Sequence, residues 1–120
     1  MNKKQELGKR GEFIAKNHYL NLGYKLLAEN WRNGRNEIDL IFNKNKDLIF
    51  IEVKSRNFNV LDLNAIPLTK KQVINLKKAI LAYCYLNKIP LENTQLDLIL
   101  VIFKQNCKRA VIKKYYNILS

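Results

Sequence analysis

Two cysteines, two prolines, four glycines and single methionine, tryptophan and histidine residues are all this 120-residue chain has of several structure-marking types. Cys84 and Cys107 are too few and too far apart for a disulfide framework or a cysteine-built zinc site, and they suit a reducing, cytoplasmic setting. The lone histidine, His18, supports neither a Ser-His-Asp triad nor a zinc centre, and its place on an apolar helix face reads as packing. No Pro- or Ser-rich linker, repeat or low-complexity segment interrupts residues 1–120, which read as one domain. The longest apolar run, Leu98 to Phe103, is far short of the ~20 residues that cross a bilayer, so no membrane association is expected. The Met1-Asn2-Lys3-Lys4 start is not followed by the apolar run and cleavage site of a secretory signal. Acids are scarce as well: ten Asp or Glu face 22 Lys or Arg, a formal charge of +12.

What is present is a core. A hydrophobic fraction of 48% with 10% aromatics excludes a disordered basic tail. A chain this long buries roughly two-thirds of its unfolded surface and folds without staples. On a folded domain, such a cationic excess points to a polyanionic partner, although solubility and compositional bias account for part of it.

The period of the pattern predicts the elements. Lys4 to about Asn21 repeats apolar residues at helical spacing through Leu7, Ile14 and Leu22. Gly8 and Gly11 weaken that helix and suit close approach of another backbone or a ligand. Tyr24–Trp31 reads as a strand, followed by an Asn33-Gly34 turn. Glu37–Phe42 and Leu48–Arg56 are two further strands, and a long, partly apolar connection runs from Asn57 to Leu68. Thr69 and Gln72 form a capping box for a second helix, whose buried face is Val73, Leu76, Ile80, Tyr83 and Cys84. Thr94–Phe103 is apolar on both faces and belongs at the centre of a covered sheet. Ala110–Lys114 is a weaker strand, and Tyr115–Ser120 is ambiguous. The order α-β-β-β-α-β-β describes an α/β protein with a mixed sheet flanked by helices.

Two strands carry charges that a buried strand should not. Alternation puts Glu37, Asp39 and Ile41 on one face and Ile38, Leu40 and Phe42 on the other. In the next strand Phe50, Glu52 and Lys54 share a face. A hairpin with the four-residue loop Lys44 to Asp47 pairs Asn43 with Leu48 and Ile41 with Phe50. It then sets Asp39 opposite Glu52 and Glu37 opposite Lys54, whereas a one-residue slip would mix charges into the apolar face. Two facing carboxylates repel unless a cation lies between them, and an oxygen-only donor set suits Mg²⁺ or Mn²⁺. Solvated strand charges are the plainer alternative.

These residues resemble a known family. Asp39 followed by Glu52-Val53-Lys54 is similar to the PD-(D/E)XK nuclease core. More closely, the chain resembles the YraN-like family of small bacterial proteins, whose fold is akin to archaeal Holliday-junction resolvases. The matching stretches are Gly8-Lys9-Arg10-Gly11-Glu12-Phe13-Ile14-Ala15, Asn30-Trp31-Arg32, Glu37-Ile38-Asp39-Leu40-Ile41 and Ile51-Glu52-Val53-Lys54-Ser55-Arg56. Lys71–Tyr85 and Leu96-Asp97-Leu98 extend the likeness over nearly the whole chain. The resemblance implies a restriction-endonuclease-like fold, with Asp39 and Glu52 as metal-binding carboxylates and the Val53 carbonyl as a further ligand. It implies that Lys54 positions or activates the attacking water, and that Glu12 is an acidic residue of the same site. At Gln95 the chain departs from the family's arginine, which leaves any site role of that strand open.

The function expected is Mg²⁺- or Mn²⁺-dependent hydrolysis of phosphodiester bonds in structured nucleic acid, branched forms among the candidates, DNA in preference to RNA. The alternative is a non-catalytic nucleic-acid-binding module on the same fold. Lys9, Arg10, Arg32, Arg35, Arg56, Lys70 and Lys71 are the candidate phosphate contacts. Trp31 with Arg32 could stack on an unpaired base or belong to the core; Glu37 supports Lys54 or is an exposed strand end. Asp97 reads as a structural hydrogen-bonding residue. Two symmetric cuts in a junction would require a homodimer, for which Phe58, Val60, Leu61, Leu63, Ile66 and Leu68 offer an apolar surface. Setting aside Glu12, Glu37, Asp39, Glu52 and Lys54 leaves 21 cations against 6 acids, so the acids are concentrated at the candidate site.

Overall fold

The computed structural model describes residues 1–58, 68–104 and 109–119. Its elements are α1 (Lys3–Asn21), β1 (Lys25–Asn33), β2 (Asn36–Lys44), β3 (Asp47–Asn57), α2 (Lys70–Asn87), β4 (Thr94–Phe103) and β5 (Ala110–Tyr115), with a 3-10 turn at Leu91–Asn93. The expected order and the mixed sheet flanked by helices are both present. The strands lie side by side as β1-β2-β3-β4-β5. Neighbours are antiparallel except β3 and β4, which run parallel from Leu48–Thr94 to Asn57–Phe103. A parallel pair needs a crossover, and α2 supplies it.

Each helix covers one face of the sheet. Burial along β4 is unbroken from Leu96 to Phe103, as a strand covered on both sides requires. On one face Leu40, Phe42, Ile49, Ile51, Val53, Ile99, Val101 and Phe103 pack against Ala15 and Tyr19 of α1. On the other, Ile38, Ile41, Leu48, Phe50 and Leu96 pack against Leu76, Ala79, Ile80, Tyr83 and Cys84 of α2. Thr69 and Gln72 form the expected capping box. A second box, Asn2 with Gln5, starts α1 one residue earlier than the apolar pattern indicated.

The contact stripe of α1 is made of small residues. Gly11, Ala15 and Tyr19 are its buried positions, while Leu22, one of the residues that defined its periodicity, is exposed. A Cβ at Gly11 would fall inside the van der Waals envelope of Ser55 Oγ and lie 3.6 Å from Val101 Cβ. Gly11 therefore sets how closely α1 approaches β3 and β4.

Asp97 is structural. Its Oδ2 accepts from the Tyr19 hydroxyl at 3.2 Å, and its Oδ1 accepts from Gln95 Nε2 at 2.9 Å and from the Asn117 amide at 2.8 Å. One buried carboxylate thus ties α1, β4 and the segment after β5 together, and satisfied in this way it costs little.

Two loop expectations change. Lys44 and Asp47 are themselves a ladder pair, so the β2–β3 turn is Asn45–Lys46, with Asn45 at φ 59° in the left-handed region. The register of Asn43–Leu48 and Ile41–Phe50 is the expected one. Of the apolar connection, Val60, Leu61, Leu63 and Ile66 lie outside the described residues, Phe58 is exposed, and Leu68 packs against the α2-side core.

Replacing Gly11 by Ala should cost about 1–3 kcal/mol through overpacking. In a Ser55→Ala background, where the Oγ is gone, the same replacement should cost less than half as much. Chemical denaturation of the four proteins checks this, and equal costs in both backgrounds would contradict the contact.

Candidate functional site at the diverging strands

The site begins with a break in alternation. Leu40 and Phe42 face α1 and Ile41 faces α2, so strict alternation would place Ile38 with Leu40. Ile38 instead packs with Ile41 and Phe50 on the α2 side. In β1, Ala28 and Trp31, three residues apart, also share the α2 side. Both strands change face between these residues, where the flanking pairs Glu29–Leu40 and Trp31–Ile38 set Asn30 opposite Asp39. Asn30 has φ 48°, a left-handed conformation that asparagine tolerates better than most residues.

Beyond this point β2 leaves β3. Their ladder ends at Leu40–Ile51, whereas β3 continues along β4 to Asn57. The N–H of Val53, which a continuing β2 backbone would have met, is donated to Asp39 Oδ2 at 2.8 Å. Asp39 therefore lies against Glu52-Val53, as the register anticipated, but through its side chain. The divergence overturns the expected Glu37–Lys54 pair. Glu37 is opposite Arg32 on β1 and within 3.6 Å of its guanidinium. Lys54 instead places Nζ 3.4 Å from Glu52 Oε2 on its own strand, with 20% and 13% of the two side chains exposed.

Electrostatics keep the acid pair from ionising together. Burial, followed by the hydrogen bond and charge of neighbouring Asp39, raises the Glu52 carboxyl well above the usual range, and Lys54 opposes the shift. Glu12, half-buried on α1, is pushed up to about 7 by burial and then by Asp39, Glu37 and Glu29, with Lys9 pulling it down. Asp39 is common to both: it touches Glu52 and is the charge that acts most strongly on Glu12. Among the described residues no three His, Cys, Asp or Glu side chains lie close enough together to hold an ion by themselves. The oxygens that could share one are those of Asp39 and Glu52, together with a backbone carbonyl.

The candidate phosphate contacts lie at the same end of the molecule. β2 runs antiparallel to β3, so the β1–β2 turn that carries Arg35, with Arg32 beside it, lies toward the C-terminal end of β3. α1 runs against β4: Arg10 stacks over Phe103 at 4.7 Å, whereas Tyr19 reaches Asp97 near the start of β4. Lys9 and Arg10 therefore sit near the C-terminal end of β3 and β4. Because α2 leads from β3 back to the start of β4, its first residues, Lys70 and Lys71, are exposed at this end too. Arg56 lies two residues beyond Lys54, with Nη1 donating to the Ser55 carbonyl at 2.8 Å.

Other candidates belong to the fold. Trp31 packs edge-on to Tyr83 at 5.2 Å, which settles its two readings in favour of the core. His18 sits edge-on to Tyr19, and burial together with Lys114 lowers its pKa. Asn30 and Ser55 entered the sequence reading only inside family-like stretches, with no role assigned to left-handed Asn30 or to Ser55, whose buried Oγ lies under Gly11.

A small α/β protein with paired carboxylates and a lysine where two strands part is the class that fold and site define. The chain belongs to the uncharacterised protein family UPF0102, whose pattern matches residues 11–101. A UPF0102 protein of Carboxydothermus hydrogenoformans is 31% identical over 117 residues, 98% of both chains. One from Clostridium novyi is 32% identical over 114 residues, covering 92% of this chain and 85% of the relative. A third, from Chloroherpeton thalassium, is 44% identical over 57 residues, 48% of this chain and 44% of its own.

The Glu12 shift fixes a pH dependence. A carboxyl whose pKa rises on folding stabilises the native state below its unfolded value of 4.5, and that contribution is lost as pH climbs through about 7. In metal-free buffer, Glu12→Gln should therefore match wild type near pH 4.5 and exceed it at pH 8. After solvent screening the gain is on the order of 1 kcal/mol, or roughly 3–5 °C in melting temperature. Thermal melts across this range check it, and a gain that does not depend on pH would contradict the assignment.

Proposed function

We propose that this protein is a metal-dependent endonuclease that cuts phosphodiester bonds in structured nucleic acid, with Asp39, Glu52 and Lys54 at the reacting phosphate. The observation that carries the reading is the contact of Asp39 with both the Glu52 carboxyl and the Val53 amide, at the point where β2 and β3 part. Two carboxyls held together and shielded from water cannot both ionise cheaply, so Glu52 holds its proton until a cation takes that proton's place.

The donor set fits a hard divalent ion. Asp39 and Glu52 would hold Mg²⁺ or Mn²⁺ with the Val53 carbonyl, because the N–H and C=O of one strand residue leave on the same edge, and that N–H already faces Asp39. When bound, such an ion supplies charge neutralisation at a phosphate and lowers the pKa of a coordinated water. Lys54, anchored by Glu52, orients the attacking water and offsets the charge that develops on the phosphate. Glu12, with a pKa near neutrality, is placed to exchange a proton at the edge of the site.

The partner follows from charge. Lys9, Arg10, Arg32, Arg35, Arg56, Lys70 and Lys71 share the end of the sheet that carries the carboxylates, and the positive N-terminal ends of both helices point there. Such a rim binds phosphates in a salt-dependent manner with little sequence preference. The likeness of Asp39…Glu52-Val53-Lys54 to the PD-(D/E)XK core supports the same reading, with branched DNA as the preferred substrate and a homodimer as the acting form.

Incubating the protein with branched, flapped, single-stranded and duplex DNA, and with structured RNA, in Mg²⁺ or Mn²⁺ tests the proposal. Cleavage should appear with at least one substrate, fall to background in Asp39→Ala and drop about a hundredfold or more in Lys54→Ala. Cleavage undiminished in Asp39→Ala would overturn the mechanism. Salt-sensitive binding of every substrate without cutting would assign the protein to non-catalytic nucleic-acid-binding modules.

A further inference from the structure

At the opposite end of the sheet a cavity of about 410 Å³ opens between α2, the start of β4 and the segment after β5. Its walls include Ile80, Leu81, Leu91, Leu96 and Leu119, with Lys77 and Glu92 among the lining residues. Two of its polar groups are already engaged within the fold. Thr94 Oγ1 donates to the Leu91 carbonyl at 2.6 Å, and Gln95 Nε2 donates to Asp97. The space therefore joins an apolar wall of Ile80, Leu81, Leu91, Leu96 and Leu119 to a polar edge that includes Lys77, Glu92 and Asn117.

The surface around it continues that character. Leu81 and Leu91 line the cavity and remain half exposed at 51% and 50%. Ile74 lies two helical turns before Leu81, and Tyr85 one turn after it, which extends a strip of exposed apolar side chains along α2. Lys77 and Lys78 interrupt the strip, and Lys88 follows the end of the helix. Lys77, Lys78 and Lys88 stand against one acid, Glu92, around this pocket, so the face favours an anionic segment that carries one large apolar side chain. A second copy of this chain fits poorly, since it would bring cations against cations.

We propose that this face of α2 docks an acidic peptide segment of a partner protein, with one large apolar side chain of that segment seated among Ile80, Leu81, Leu91 and Leu96. Lys77 meets the flanking carboxylates. Because the cavity adjoins the first residues of β4, whereas Lys54 and Arg56 lie opposite its later part, docking would leave the carboxylate site open. The face would thus hold the protein to a partner without occluding that site.

Fluorescence anisotropy with a short labelled peptide, Asp- and Glu-rich around a central Leu-Phe pair, tests this directly. Binding should be saturable at low salt and about tenfold or more weaker in Leu81→Glu and in Lys77→Glu, with melting curves confirming that both variants fold. Replacing Leu-Phe by Ser-Ser in the peptide should cost as much. Absence of binding overturns the proposal, and so does binding that ignores both variants, which marks general charge attraction. A concentration-dependent dimer that Leu81→Glu abolishes in sedimentation overturns it as well, since the occupant is then a second copy.

Discussion

The hydrogen bond from the Val53 amide to Asp39 Oδ2 is the contact on which the candidate site depends. Where β2 turns away, β3 loses its antiparallel neighbour, and an amide at the centre of a sheet would otherwise be left without a partner. A buried unpaired amide costs on the order of 1–3 kcal/mol. A side-chain carboxylate restores the bond without restoring the strand, so β2 and β3 part beside Glu52 and Lys54. The divergence and the buried acid pair are therefore aspects of a single arrangement. Asn30, left-handed and opposite Asp39, provides the matching turn in β1.

The rest of the fold serves that parting by fixing its sides. β4 pairs with β3 from Leu48 to Asn57, well past the point where β2 departs. Gly11 lets α1 lie against Ser55 and Val101, and this approach carries Glu12 into the field of Asp39. Tyr19, two turns further along α1, is bonded to Asp97, which pins the far end of the helix to β4. A shift of α1 would be felt at both ends, as expected of close-packed layers.

Much of this was legible from the residues, and the failures have physical causes. The β2–β3 register followed from the turn and from the apolar pattern, because a one-residue slip would have buried charge. The core position of β4 followed from its unbroken apolar run. The change of face at Asp39 was not legible: a period of two assumes a regular strand, and a single asparagine does not announce a left-handed residue. The Glu37–Lys54 pair failed for the same reason, since extending a ladder past Leu40 presumes that the strands stay together. The contact stripe of α1 was read in part: Leu7 and Ile14 pack on the core and Gly11 is a point of close approach, whereas Leu22 is exposed. Trp31 looked available beside a turn, but the altered alternation turns it inward onto Tyr83.

The central claim is that a divalent cation joins Asp39 and Glu52 in place of the proton that Glu52 otherwise keeps. The most direct measurement is the melting temperature in the presence and absence of Mn²⁺, for wild type and for Asp39→Asn. Asparagine keeps an oxygen able to accept from Val53 but removes the charge. An ion at 100 times its dissociation constant stabilises by about 2.7 kcal/mol, so wild type should melt several degrees higher with Mn²⁺ and Asp39→Asn should not respond. An equal Mn²⁺ response in both proteins, or none in wild type, would contradict the account.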